Sequence, residues 1–344
     1  MKNYTLITLC LFGFFKNLSA QKVMLNLVAD QQKVEVMIDG KPFTNYIFPS
    51  DTVLKKPVLF PIFSPNGTIV TRGYPFAPRA GERIDHPHHV GLWLNYEYVN
   101  GFDFWNNSNA IKNPTKYGTI YHTKITKMKS GKKATLSVEA DWITANGKGK
   151  NVLKEKTTYI FQVKNKVRII DRITTLTAQA DTVFLNDVKD GMIALRLARE
   201  LEHPSDKADE FLDANGIVTK VDKLNNTHIS GKYRSSEGIE GDNVWSTRAK
   251  WVNLTGRIGS DNISVCMIDH PQNLRYPTYW HARGYGLFAA NPLGGKVFSK
   301  GEDVVNLKLA PNQSITFRYR IVVASRHLSD AENEALSIDF AKVK

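Results

Sequence analysis

Cysteine is nearly missing from this chain, whose 344 residues hold only Cys10 and Cys266. Cys10 falls in an N-terminal stretch expected to be removed, so no disulfide framework is expected and core packing must supply the stability. Cys266 lies in ISVCMI, which reads as a buried strand with an inert thiol. Long apolar runs are missing beyond the first twenty residues, so no membrane span is expected in the mature chain. The GxSxG elbow, the GxxxxGK[ST] phosphate loop and the dinucleotide fingerprint are also absent. Serine-hydrolase, nucleotide and nicotinamide chemistry therefore lose their usual signals.

The first twenty residues do carry a signal. Lys2 supplies a positive start, Leu6 to Phe15 form a short apolar run, and Leu18-Ser19-Ala20 offers a small-residue exit before Gln21. That is the layout of a secretory signal peptide, too short to cross a bilayer. Too little apolar sequence precedes Cys10 for lipoprotein processing. The expected mature chain runs from Gln21 to Lys344 and is periplasmic or secreted. The net charge of +13 falls by two when Lys2 and Lys16 leave. The remaining lysines are scattered through SGKK (130–133) and NGKGK (146–150), as on a solvated basic surface. No basic helix or binding motif points to nucleic acid.

What is present reads as β almost throughout. Leu136, Val138, Ala140 and Trp142 alternate with Ser137, Glu139 and Asp141, the period of a half-buried strand. KTTYIFQV and KVRIIDRITTL flank Asn165-Lys166 and read as a hairpin. Further strands are expected at 33–38, 118–128, 183–189, 248–256, 262–268, 285–289, 304–309 and 314–324. Asp206 to Leu212 reads as a short helical turn, and Ser329 with Glu332 forms a capping-box pattern ahead of a final helix. With no repeat, linker or composition break, the expectation is a single all-β domain over 21–344, a large antiparallel β-sandwich or barrel with a short C-terminal helix.

The residues that carry chemistry gather in two stretches. GERIDHPHHVGLW (81–93) places Asp85, His86, His88 and His89 within five positions. Pro87 is expected to hold His86 extended, which would put His86 and His88 on one face and His89 on the other. Two His on one face begin a metal site, but a catalytic zinc takes three protein ligands. The third would come from His122, His270 or His281, and no metal motif is matched. Divalent-metal ligation, with His86, His88 and His122 as candidates, stays open beside acid–base work by neutral imidazoles. The second stretch, MIDHPQNLRYPTYWHARGYGLFAANPLG (267–294), repeats Asp-His-Pro as Asp269-His270-Pro271 and adds Trp280, His281 and Arg283. Asp beside His can fix an imidazole tautomer, while Trp and Arg suit a sugar ring and its oxygens. Asp190, Arg196, Trp245 and Arg248 are further wall candidates, with ordinary ion pairs or packing as the alternative.

Taken jointly, these motifs resemble a bacterial family of exported proteins often labelled “methane oxygenase PmoA”. The resemblance rests on Asp85-His86-Pro87-x-His89-x-Gly91-Leu92-Trp93, Asn100-Gly101-x-Asp103-Phe104-Trp105, Gly191 with Arg196, and Trp245 with Arg248 and Trp251. It continues through Asp269-His270-Pro271, Trp280, Arg283, Gly286 and Asn291-Pro292, covering roughly residues 30 to 325. Two positions depart from the pattern: Val90 where Arg is common, and Asp190 where Glu is common. The oxygenase label conflicts with the lack of a membrane span, since a particulate methane oxygenase subunit is an integral membrane protein. The resemblance implies a galactose-mutarotase-like supersandwich, a fold type that commonly acts on sugars.

The resulting expectation is an exported carbohydrate-active enzyme without a redox cofactor. His86 and His89 would face His270 and His281 as acid and base, with Asp85 and Asp269 orienting the rings. Arg83, Arg196, Arg248, Arg283 and Asp190 would bind substrate oxygens, and Trp280 would stack on the ring. Hydrolysis, β-elimination and ring opening all fit this set. A non-catalytic glycan-binding module and a divalent-metal enzyme are the alternatives, and the oligomeric state is not encoded.

Overall fold

The computed structural model describes residues 21–49 and 54–344. The expected signal peptide, with Cys10, lies outside the described residues. Alternation over 133–143 becomes the strand Lys133–Ile143, which buries Ala134, Leu136, Val138, Ala140 and Trp142. The expected hairpin joins Asn151–Lys164 to Val167–Ala178. Asn165 and Lys166 both take positive φ at its tip, as a tight two-residue turn requires.

These strands belong to an antiparallel sheet of eight, in spatial order Lys232–Ser235, Trp251–Ile258, Asp261–Asp269, Ser314–Ala324, Val167–Ala178, Asn151–Lys164, Lys133–Ile143 and Thr119–Lys129. A second antiparallel sheet of eight lies against it. Its order is Val23–Val28, Lys33–Ile38, Lys41–Ile47, Val58–Ile62, Leu92–Leu94, Ile193–Arg196, Leu287–Asn291 and Tyr279–Arg283. One apolar core fills the space between them, where Phe43 of one sheet meets Phe161 of the other edge-on at 6.2 Å. Each fully buried Leu, Val or Phe there contributes about 1.5–3 kcal/mol. The all-β antiparallel sandwich expected from the sequence is therefore the observed architecture.

Both sheets also have a covered outer face. The helix Asp330–Phe340, opened by the expected Ser329–Glu332 capping box, packs with Phe340 on Trp251, Cys266, Ile268 and Val322 of the first sheet. Burial there pushes the Cys266 thiol up, which keeps it protonated and inert. The second sheet's outer face is covered by loops around Leu54, Val90 and Trp105. One local expectation fails: 206–212 is not a helical turn. Asp209–Leu212 is a strand paired with Val218–Val221: alternation turns Phe211 inward, where Arg83 lies over its ring, and its backbone bridges that of Arg83. Among the described residues, no helix is long and apolar enough to cross a membrane.

Candidate functional site

Strand register builds the floor of the site. Trp93 pairs with Ala194, Ala194 with Ala289, and Ala289 with His281, forming a row across four neighbouring strands. One step along, Arg196 pairs with Leu287 and Leu287 with Arg283. Residues paired in this way project to the same side of a sheet, and here it is the outer side. Two alanines at the centre leave room above them. The segment 82–90 fills that room.

Arg72 shapes this segment. Its guanidinium donates to the carbonyls of Arg83 (3.3 Å), Asp85 (2.8 Å), His86 (2.9 Å) and His89 (3.2 Å), and to Asp85 Oδ1 (2.7 Å). Under that clamp the chain is not extended. The His89 amide donates to the His86 carbonyl in a turn, and His86 takes φ 45°, a left-handed conformation that costs of order 1–3 kcal/mol in a non-glycine residue. The turn overrides the alternation expected across Pro87. His86 and His89 share a face, their rings stacked at 4.7 Å and 2°, and His88 stands edge-on to both. Gly91 ends the segment at φ 56°, where a Cβ would lie 2.1 Å from the Leu59 carbonyl oxygen. Only glycine fits there.

The three rings have different electrostatic settings. Asp85 Oδ2 accepts from His86 Nδ1 at 2.5 Å, while its Oδ1 accepts from Arg72 and from Arg196 at 2.6 Å. Burial would raise the Asp85 carboxyl, but the His86 hydrogen bond and the two guanidiniums outweigh it and hold the group well below the usual carboxylate range. Asp85 is thus an ionised anchor, and it leaves His86 Nε2 as the free nitrogen of a ring whose side chain is 44% exposed. His89 lies beneath, on Trp93 and Trp105, with 1% exposure. Arginine can only donate, so the Arg196 contact at 3.3 Å makes His89 Nδ1 an acceptor and puts the proton on Nε2. Burial, then the charges around it, push His89 and His88 well below the usual imidazole range. His281 is likewise pushed down by burial, to about 3, and lies with Nδ1 3.3 Å from Asp190.

A cleft of about 530 Å³ opens beside His86. Its walls include Arg83, Asp85, His86, Asp209, Trp245, Arg283 and Tyr285. Tyr285 extends the stack, parallel to His86 at 5.6 Å and 4°, with the Arg196 guanidinium 4.9 Å from its own ring centre. Arg83 donates to Glu202 at 2.7 Å and pairs with Asp209, tying the 209–221 hairpin to the rim. Arg283 lies over Trp245, 5.4 Å from the ring centre. His203 holds Asp242 at 3.1 Å on the same cleft.

Of the residues singled out in the sequence, Asp85, His86, Arg83 and Arg283 line this cleft, with His89, Arg196, Asp190 and His281 packed behind it. Others do not join them. Asp269 is fully buried and accepts from the amides of His270 and Thr278 and from Asn273, closing a turn. His270 sits under the C-terminal helix, edge-on to Phe340 at 4.9 Å, with Nδ1 accepting from the Gln272 amide. The second Asp-His-Pro is therefore a folding device. Trp280 is a core residue whose Nε1 donates to the Ala249 carbonyl, so it offers no platform to a ring. Arg248 is spent on the carbonyls of Pro277 and Arg275. His122 bonds the Tyr46 hydroxyl far along another strand and packs on Phe48, so it cannot complete a metal site with His86 and His88. Among the described residues, no three His, Cys, Asp or Glu side chains are grouped as metal ligands.

Sequence reasoning missed Arg72, which no motif marks, and gave no role to Tyr285. The signal for Tyr285 was present: an aromatic residue between Gly284 and Gly286, at the tip of a tight hairpin. Trp245 was noted as a wall candidate, and its place as the support of Arg283 needed the fold.

Solved structures resemble the chain only distantly. The Slr1438 protein from Synechocystis sp. PCC 6803 aligns at 9% identity with a TM-score of 0.35, over 88% of this chain and 96% of that one. The galactosidase domain of an alpha-galactosidase-sucrose kinase, AgaSK, aligns at 10% identity with a TM-score of 0.37, over 87% of this chain and 41% of that one. Among curated protein sequences no match is found. Residues 33–337 match a family of unknown function, DUF6807, and the chain belongs to that family.

Proposed function

We propose that this chain is an exported carbohydrate-active enzyme in which His86, oriented by Asp85, moves a proton on a sugar held in the cleft. The observation that carries the reading is the Asp85–His86 pair at the cleft mouth. An ionised carboxylate fixes the tautomer and leaves Nε2 presented, the arrangement a general base needs. The left-handed backbone at His86 supports it, because such strain persists only where surrounding structure enforces it. Arg72 and Arg196 provide that enforcement. Tyr285 and Trp245 supply aromatic surfaces, and Arg83 and Arg283 supply donors, which together suit the faces and oxygens of a sugar ring. Buried and neutral, His89 supports His86 and does not itself reach the substrate.

The test is thermal unfolding of the purified protein against a panel of neutral and acidic sugars. A ligand at about 100 times its Kd stabilises by roughly 2.7 kcal/mol. A binder is then assayed for turnover with wild type and His86→Gln. Binding with turnover that His86→Gln abolishes supports the reading. Binding without turnover in wild type makes the cleft a glycan-capture site and overturns the catalytic part. No binder in the panel overturns the sugar assignment.

A further inference from the structure

The charges lining the cleft do not balance pair by pair. Asp85 is held by Arg72, Arg196 and His86, and Asp209 by Arg83. Glu202, behind the wall, is held by Arg83 and Arg199, and Asp242 lies against His203. Burial pushes the His203 ring toward its neutral form, so Asp242 keeps its negative charge, but every carboxylate on or directly behind the cleft has an ion-pair or hydrogen-bonding partner. Arg283 does not: among the described residues no carboxylate lies within ion-pair distance of it, and no acceptor takes its N–H groups. It is held instead by the face of Trp245. That contact seats the guanidinium over the ring and leaves its N–H groups unspent. Lys207, on the same rim, is likewise without a carboxylate.

We propose that the sugar bound in this cleft carries a carboxylate, as a hexuronate does, and that Arg283 on Trp245 is its receptor. This inference rests on the sugar-binding reading above. A guanidinium presents parallel N–H groups at the spacing of two carboxylate oxygens, so the pair forms two charge-assisted hydrogen bonds at once. A half-buried cation loses hydration that only an anion fully replaces, and hydroxyl groups of a neutral sugar would leave its charge uncompensated. The stacking partner matters as well. Arg283 already rests against the Trp245 ring, so less side-chain entropy remains to be lost on binding than for a free arginine. Lys207 adds a mobile positive charge on the exposed side of the same rim, which favours the same sign of ligand.

The experiment is calorimetric titration of wild type, Arg283→Gln and Arg283→Lys with glucuronate and galacturonate and with their neutral parents, glucose and galactose, at low and high salt. Uronates are expected to bind at least tenfold more tightly than the parents, and more weakly at high salt. Arg283→Gln is expected to raise the uronate Kd roughly 10- to 100-fold, the loss of charge-assisted hydrogen bonds, and to raise any parent-sugar Kd by only a few-fold, the loss of a neutral acceptor's contact. Parent sugars binding as tightly as uronates, or an unchanged uronate Kd in Arg283→Gln, overturns the inference and leaves the sugar reading standing. No binding by either class overturns both. Should Arg283→Gln melt markedly below wild type, Arg283→Lys decides. It keeps the charge but loses the fork, so its uronate Kd must rise, and an unchanged value overturns the inference.

Discussion

Nδ1 of His86 lies 2.5 Å from Oδ2 of Asp85, whose other oxygen is taken by two guanidiniums. The ring is therefore aimed by a group that does not itself titrate near neutrality. Under the proposed function, replacing His86 with Gln removes the proton carrier but not the anchor. The expected result is a fall in kcat of roughly 10²- to 10⁴-fold with a Kd changed by only a few-fold. Steady-state rates beside calorimetric binding check this, and an equal loss in both would make His86 a binding residue.

Acid should loosen the protein before Asp85 titrates. His281, pushed down to about 3, and His88 and His89, also pushed down by burial, stay neutral when folded but take protons in the unfolded chain below about pH 6.5. The unfolded state then binds more protons, so stability rises with pH through this range and falls as the pH is lowered. Each ring contributes on the order of 1.4 kcal/mol per pH unit between its two pKa values. Asp85, held low when folded, adds a loss of the same sign below about pH 4. Melting temperature followed from pH 7 to 4 should decline, and His281→Gln should decline less steeply. A flat profile would contradict the buried neutral rings.

The floor alanines should tolerate no growth. Ala289 is fully buried beneath the 82–90 segment, among Trp93, Ala194 and Leu287. Ala289→Leu must lift that segment or distort the sheet, at a cost of about 1–3 kcal/mol. Turnover should fall along with stability, because His86 rides on the same layer. Denaturant unfolding combined with rate measurements tests it, and stability lost with full activity would show the loop to be independent of its floor.

The two Asp-His-Pro stretches should separate cleanly under substitution. His270→Ala removes packing on Phe340 and the acceptor for the Gln272 amide, for about 1–3 kcal/mol. No effect on kcat is expected. A large kcat loss at unchanged stability would place His270 in the chemistry after all.

The sequence was most legible where one side of a strand faces the core and the other faces water. Leu136 to Trp142 and the Asn165-Lys166 hairpin belong to that kind of sheet, and their periods and turn residues marked them. The strands under the site were harder. Leu92–Leu94 and Ile193–Arg196 are buried on both faces, because loops cover the outer side, and so they show no alternation. Leu287–Asn291 shares that double burial, and only part of it was marked. The Asp85–His86 stretch stood out by composition alone, whereas its twin at 269–270 looked identical and serves a buried turn. The difference lies in Arg72 and Arg196, which reach Asp85 from elsewhere in the chain. Local sequence holds no trace of a partner supplied by the fold.

The row Trp93, Ala194, Ala289 and His281 has a consequence for portability. Its members come from three widely separated stretches of the chain, the first of which also carries the 82–90 segment above them. No contiguous fragment short of residues 86–285 contains both His86 and the cleft's aromatic residues Trp245 and Tyr285. Recombination between relatives that cuts anywhere from residue 94 to residue 279 would exchange one half of the floor for another. Grafting the site onto a foreign scaffold would likewise mean transplanting four adjacent strands in register. The site is indivisible from the sheet, so only its rim, where the hairpin 209–221 and the tip at Tyr285 lie, can be rebuilt without disturbing the floor.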